Sequence, residues 1–356
     1  MTQKNAKWLP IVSTGIGILM ALVLAELILN QFQQQLTHNG HLDKGLFKYS
    51  RQLGWQMTPL WYGEQTHLDY KVHYQIGKDG FRYDPQQKKT ADWLVFGDSF
   101  TFGVGVKDNQ TFLHQLNKTT KQTWKNLAVA GYSTDQEYLL FKSYPKNKAQ
   151  NILFIIYLGN DLADNLLPSP LQANLQKPYF NLENQQLKLN NMPVPLKPKN
   201  QQKMTLNELV FIQSPPPFYQ KLALYQWLKG AGLIKSDFSE KQLSQSFLQG
   251  MTLFKTLLKQ IKQTANQQDL KFNMVLLSGA SIVNNPYSKS AQWQQWQAQK
   301  IMAMGQQLEI PILNLIPIFQ QTKQQPLYFS NEGHLTPQGH LFVAQEIQIF
   351  FRIPQK

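Results

Sequence analysis

The chain has no cysteine. Disulfides, thiolate metal sites and a cysteine nucleophile are therefore excluded, and the absence suits an oxidising compartment, where a stray thiol is a hazard. Acidic residues are also scarce: 21 Asp and Glu stand against 35 Lys and Arg, for a formal net charge of +14. Only 16% of the 356 residues are charged, and no block of Lys or Arg gathers the excess. So diffuse a basic balance suits anionic lipid head groups or acidic glycans. Nucleic acid asks for a basic stripe or an aromatic platform, and no such partner is expected. Zinc-protease, calcium-loop and Walker spacings are missing too, so neither metal nor cofactor is implied. No G-x-S-x-G elbow surrounds any serine, which disfavours the α/β-hydrolases built on that turn.

What is present can build a large core: 42% of residues are hydrophobic and 12% aromatic. One uninterrupted apolar run, Trp8 to Leu29, has about the 20 residues that a hydrocarbon core requires, with Glu26 its single charge. Lys4 and Lys7 precede it and the next basic residue is Lys44. The positive-inside rule then leaves residues 1–7 as a short cytoplasmic tail, makes 8–29 one transmembrane helix, and exports the rest. A cleaved signal peptide fits less well, because its apolar region is usually shorter and ends in small residues that are lacking here. The expectation is a single-pass protein of the cell membrane with its main domain outside the cytoplasm.

Residues 30–90 mix Gln-rich stretches with aromatic runs such as Tyr70 to Tyr74 and read as a lead-in that packs on the main domain. From Ala91 onward, β-type runs alternate with helical patterns. Trp93–Phe96, Lys125–Val129, Asn151–Leu158, Phe272–Leu277 and Ile310–Ile316 predict a parallel sheet covered on both faces. Thr134 and Glu137 have capping-box spacing at the head of a helix from Asp135 to Tyr144, and a second helix is predicted over Gln242–Lys262. A Pro-rich stretch at about 165–232, with a hairpin-like run from Tyr179 to Pro195, interrupts the rhythm as an insertion.

Four turns carry candidate chemistry. The first strand runs into Gly97-Asp98-Ser99, placing a serine where open α/β sheets bind ligands. A strand-to-helix turn capped by Asp98 or Ser99 is the competing reading of that motif. Gly131 follows the second run and can lend its N–H to an oxyanion, as can the N–H of Ser99. Asn160 ends the third, its amide a further donor with Asp161 beside it to orient it. Finally, Asn331-Glu332-Gly333-His334 precedes a helix that starts with Thr336 as N-cap and Pro337 at its first position. A loop histidine held by such a cap can act as general base to a serine, whereas His340, on the helix, reads as structural.

These four blocks in this order resemble the GDSL/SGNH hydrolases, named for a Ser, Gly, Asn and His. The match is Ser99, Gly131, Asn160 and His334, over Ala91 to about Arg352, and Gly80-Phe81-Arg82-Tyr83-Asp84 is similar to a segment ahead of the serine block in membrane-anchored bacterial members. The resemblance implies a three-layer αβα sandwich around a five-stranded parallel sheet, and a serine esterase acting on acyl esters, such as O-acetyl groups of envelope glycans or lipids. One departure is evident. The family's Asp three residues before the histidine is Asn331 here, so either Asn331 or the neighbouring Glu332 orients His334, or a dyad works alone. The same fold would also serve an O-acyltransferase on a cell-surface polysaccharide, or a non-catalytic envelope assembly or glycan-binding protein. Retention of all four block residues argues against the last.

Overall fold

The computed structural model describes residues 40–145, 148–171, 173, 175–196, 204–212, 218–230, 233–234, 238–324 and 326–356, together with Met20, Leu24 and Glu26. Among the described residues no helix is long and apolar enough to cross a membrane. The expected anchor at 8–29 lies, those three residues apart, outside the described ones. The chain divides into two compact units, 1–39 with 214–237 and 40–213 with 238–356. In the smaller, the Glu26 carboxylate accepts the N–H groups of Ala223 and Leu224, the free donors at the head of the helix Ala223–Gly230.

The larger unit opens with five short strands, β1 (His41–Leu42), β2 (Phe47–Ser50), β3 (Gly54–Met57), β4 (Tyr62–His67) and β5 (Tyr70–Gln75). They form an antiparallel sheet β1-β4-β5 and a hairpin β2-β3. Then follow β6 (Trp93–Phe96), β7 (Trp124–Asn126) and β8 (Asn151–Tyr157), the hairpin β9 (Tyr179–Glu183) and β10 (Gln186–Asn190), and β11 (Lys271–Leu277) and β12 (Ile312–Asn314). Strands β12-β11-β8-β6-β7 make one sheet whose neighbours all pair in parallel. Each predicted run supplies a strand, although the second and fifth shrink to three residues. Beyond Asn314 the fifth run turns into the helix Leu315–Gln321. Its first N–H groups are capped by the Asn314 side chain, which accepts from Ile316.

All of β6 and the interior of β8 are buried, as a sheet covered on both sides demands. Each fully buried Val, Leu or Phe contributes about 1.5–3 kcal/mol. The helices that link the parallel strands fall into two packed groups. Phe112–Thr119, between β6 and β7, lies against the last helix, Pro337–Phe350. Thr134–Ser143 and Gln245–Asn266, which link β7 to β8 and β8 to β11, pack on each other. The strand order reverses beside β6, so the crevice beyond the carboxyl ends of β6 and β8 is the switch point where such sheets bind ligands.

Lead-in and sheet are joined by Arg82, which is 3% exposed. Its guanidinium bonds Asp108 (2.5 Å) and donates to the carbonyls of Phe102 (3.3 Å), Gly103 (3.0 Å) and Val106 (2.7 Å), while stacking on Tyr74 and Phe102. Asp84 extends the clamp, accepting from Asn117 and bonding His114. Replacing Arg82 by Met should lower unfolding free energy by about 3–5 kcal/mol, because Asp108 and three carbonyls lose a buried donor. A denaturant titration unchanged by the substitution would remove the clamp from the account.

Candidate active site

Asp98 and Ser99 divide the two roles open to them. Asp98 is the N-cap of the short helix Ser99–Phe102, its carboxylate accepting from the N–H of Phe100 at 2.9 Å. That leaves the Ser99 hydroxyl free to face the last loop. Gly97 is needed for space and not for a left-handed bend, since a Cβ there would lie 2.2 Å from the Thr101 hydroxyl. Only a glycine lets the helix fold back so closely on the end of β6.

The histidine loop is shaped by Thr336, which caps the last helix through Gly339 N–H, with Pro337 in its first turn. The loop turns His334 so that Nε2 lies 2.8 Å from Ser99 Oγ and Nδ1 2.6 Å from Glu332 Oε1. Glu332 also accepts the backbone N–H of His334 at 3.0 Å. Of the two candidate orienters, therefore, Glu332 takes the histidine. Asn331 does not: its side chain donates to Asp69 instead, at 2.7 Å. Burial works against ionisation of Glu332, but the hydrogen bond and charge of His334 outweigh it and hold the carboxyl below the usual range. The imidazole is fixed on its face by the Phe100 ring, 4.4 Å away, itself stacked on Tyr157.

Asp69 is the functional residue that the sequence reading missed. From the turn between β4 and β5 it accepts the N–H groups of Asn331 (2.9 Å) and Glu332 (2.8 Å) as well as the Asn331 amide. Partial burial is outweighed by these bonds, and its pKa lies below the ordinary value. Tyr70 packs its ring on Phe329 at the start of the same loop.

Two further turns follow β7 and β8, the strands that flank β6 in the sheet, and neighbouring strands are about 4.8 Å apart. Gly131 has a left-handed backbone (φ 83°) that a side chain would strain, and its turn is pinned by Trp55, whose indole donates to the Ala130 carbonyl. Among the described residues no acceptor takes the N–H of Gly131. Asn160 is half-buried and gives one amide hydrogen to Asp164 at 2.6 Å, leaving the other for a ligand. Asp161, expected to orient it, instead accepts from the N–H of Tyr157. The correction follows from helical spacing: residue i+4 shares a face with Asn160 and residue i+1 does not.

Behind the serine lie three buried acids. Burial first, then mutual repulsion with Asp98, pushes Glu137 and Asp161 well above the carboxylate range. Glu137 forms no capping box, contrary to the sequence pattern. Ser133 holds the cap position, and neither Glu137 oxygen has a hydrogen-bond partner among the described residues. Asp98 is raised to about 6 by burial, against the attraction of His334. His340, buried and accepting from Phe112 N–H, is pulled by burial down to about 3 and joins two helices as a neutral strut.

No family model matches the chain, and no curated protein does. The solved structures to which it is similar include a member of the lipolytic protein G-D-S-L family from Veillonella parvula DSM 2008, at 10% identity over 73% of this chain and 98% of that one, TM-score 0.39. A lipase/acylhydrolase from Enterococcus faecalis matches at 11% identity over 74% and 98%, TM-score 0.40. An acetyl xylan esterase matches at 10% over 72% and 98%, TM-score 0.39.

A carboxyl whose folded pKa is raised stabilises the fold only while protonated: its contribution is full below the ordinary value near 3.8 and is lost as pH rises through about 6. Asp98→Asn should therefore be more stable than the parent above pH 6, by about 1–3 kcal/mol. The difference should vanish near pH 4. Equal melting curves at pH 8 would show that Asp98 is not destabilised by its burial.

Proposed function

We propose that the protein is a serine ester hydrolase of the GDSL/SGNH kind, and the observation that carries this is the unbroken chain from Glu332 through His334 to Ser99 Oγ. In that chemistry Ser99 Oγ attacks an acyl carbonyl while His334 Nε2 takes its proton, and Glu332 stabilises the resulting imidazolium. Negative charge develops on the carbonyl oxygen, for which the N–H of Ser99, at the unpaired first position of its helix, the N–H of Gly131 and the Asn160 amide are the candidate donors. His334 returns the proton to the leaving alcohol, and water, activated by the same imidazole, releases the acyl group. A non-catalytic role gives no reason for a histidine to be held on both ring nitrogens against a serine.

The substrate we propose is an acyl ester, such as an O-acetyl group, on an envelope glycan or lipid, with the chain anchored in the cell membrane by residues 8–29. Supporting the anchor are the apolar run itself and the exposed Phe218, Tyr219 and Trp227 in the unit that contains it, residues of the kind that settle at a lipid interface.

Full-length protein should hydrolyse p-nitrophenyl acetate, and Ser99→Ala should lose that activity by roughly 10⁴ or more while melting at the parent's temperature. Turnover surviving in Ser99→Ala would overturn the mechanism. Within the acid position, Glu332→Gln should lower kcat about 10²–10⁴-fold, whereas exposed Asn331→Ala should stay within about twofold. Asp69→Ala, which frees the loop without touching the imidazole, should fall between them, with kcat reduced and KM unmoved. The reverse order of Glu332 and Asn331 would reassign the orienting role.

A further inference from the structure

Away from the serine lies a cavity of about 650 Å³, bounded by the lead-in and by Ala91 and Leu94 near the amino end of β6. It adjoins a second, of about 320 Å³, and the two share Gln75, Tyr83 and Pro85. Joined through these residues, they are taken together as one groove. Its acids are already engaged: Asp79 is paired with Lys125, Asp84 with His114 and Asn117, and Asp108 with Arg82. Of its cations, Arg82 and Lys125 are held by those acids and Lys71 by Glu64, at 3.1 Å. Lys78, Lys88, Lys89 and Lys107 are exposed and form no ion pair with an acid among the described residues. Unneutralised positive charge in a concave site concentrates anions.

Aromatic faces accompany the charge. Tyr62 and His73 stack at 5.4 Å in the smaller cavity, and Tyr83, 41% exposed, stands where the two meet. Strand β5 connects this groove to the site already described. Gln75, at one end, lines both cavities, and Tyr70, at the other, packs on Phe329 of the histidine loop, about 17 Å away along the strand.

We infer that the groove binds a linear anionic polysaccharide and leads it toward Ser99. Two adjoining recesses suit a chain better than a flat membrane surface. The free lysines select acidic groups, carboxylate or phosphate, and the exposed rings suit the faces of sugars. The choice of saccharide over nucleic acid rests on the esterase reading, since hydroxyl-rich glycans are the polyanions that carry acyl esters. Small acyl esters need none of these contacts.

The test uses the full-length protein with Lys78, Lys88 and Lys89 each changed to Glu, and polygalacturonate, dextran and a single-stranded oligonucleotide as probes. Binding is measured in the Ser99→Ala background, and p-nitrophenyl acetate turnover with Ser99 present. Polygalacturonate should bind, weaken with salt, and lose roughly tenfold in affinity in the triple variant, with dextran unbound and small-ester turnover unchanged. If the triple variant melts early, Lys88→Glu and Lys107→Glu singly should each weaken binding by a smaller factor. Absent polygalacturonate binding, or binding indifferent to these substitutions, overturns the groove, and tighter binding of the oligonucleotide through the same lysines overturns the saccharide. Failure of the esterase reading shows separately, as absent turnover in the Ser99 parent.

Discussion

The Asp69 carboxylate is the contact on which the histidine end of the site depends. A loop from Phe329 to His334 must hold an imidazole to within a hydrogen bond of a serine that comes 235 residues earlier. Its backbone N–H groups at 331 and 332 have no helix or strand to satisfy them, and Asp69 takes both. One acid from the lead-in thus fixes the stem of the residue that in turn fixes His334. Among the described residues nothing in the parallel sheet replaces it, so the lead-in is part of the site's framework.

That dependence recurs at the other turns. Arg82 holds the carbonyls at the end of the Ser99 helix and just after it, and the Tyr74 hydroxyl accepts from the N–H of Gly105 at 2.8 Å. Trp55 holds the turn at Gly131, donating to Ala130 and receiving the Tyr132 hydroxyl on its own carbonyl. Three of the four turns at the carboxyl edge are therefore fastened by residues 40–90, and only Asn160 is oriented from within, by Asp164. A parallel sheet sets where these loops begin. It does not set where their tips point, and pre-organised donors stabilise developing charge only when the tips are fixed.

The same division explains what was legible in the sequence. The five strands could be read because a sheet buried on both faces writes itself as apolar runs, and the last helix because Thr336 and Pro337 mark its start. Choosing Glu332 over Asn331 needed side-chain direction, which spacing alone does not carry. Asp164 was open to reading, since Asn160 to Asp164 is one helical turn. Asp69 was not: it lies 262 and 263 residues from its partners and belongs to no motif of its own. The capping-box spacing at Thr134 and Glu137 misled for a physical reason. The glutamate faces the core, where burial raises its pKa well above the carboxylate range, and the cap moved back to Ser133.

Replacing the expected aspartate by a Glu332 one position nearer the histidine has a structural consequence. A carboxylate three residues away reaches Nδ1 across a full turn of loop, whereas Glu332, only two away, must use its extra methylene and bend back. It does so by accepting both the ring and the backbone N–H of His334, which closes a small ring around the imidazole. Such a ring is self-orienting only if the backbone at 331 and 332 is held, because the longer side chain has one more rotatable bond to spread over. Asp69 supplies that restraint, and the Asn331 amide adds a third bond to it. The departure at position 331 and the unpredicted acid at position 69 are thus two halves of one arrangement.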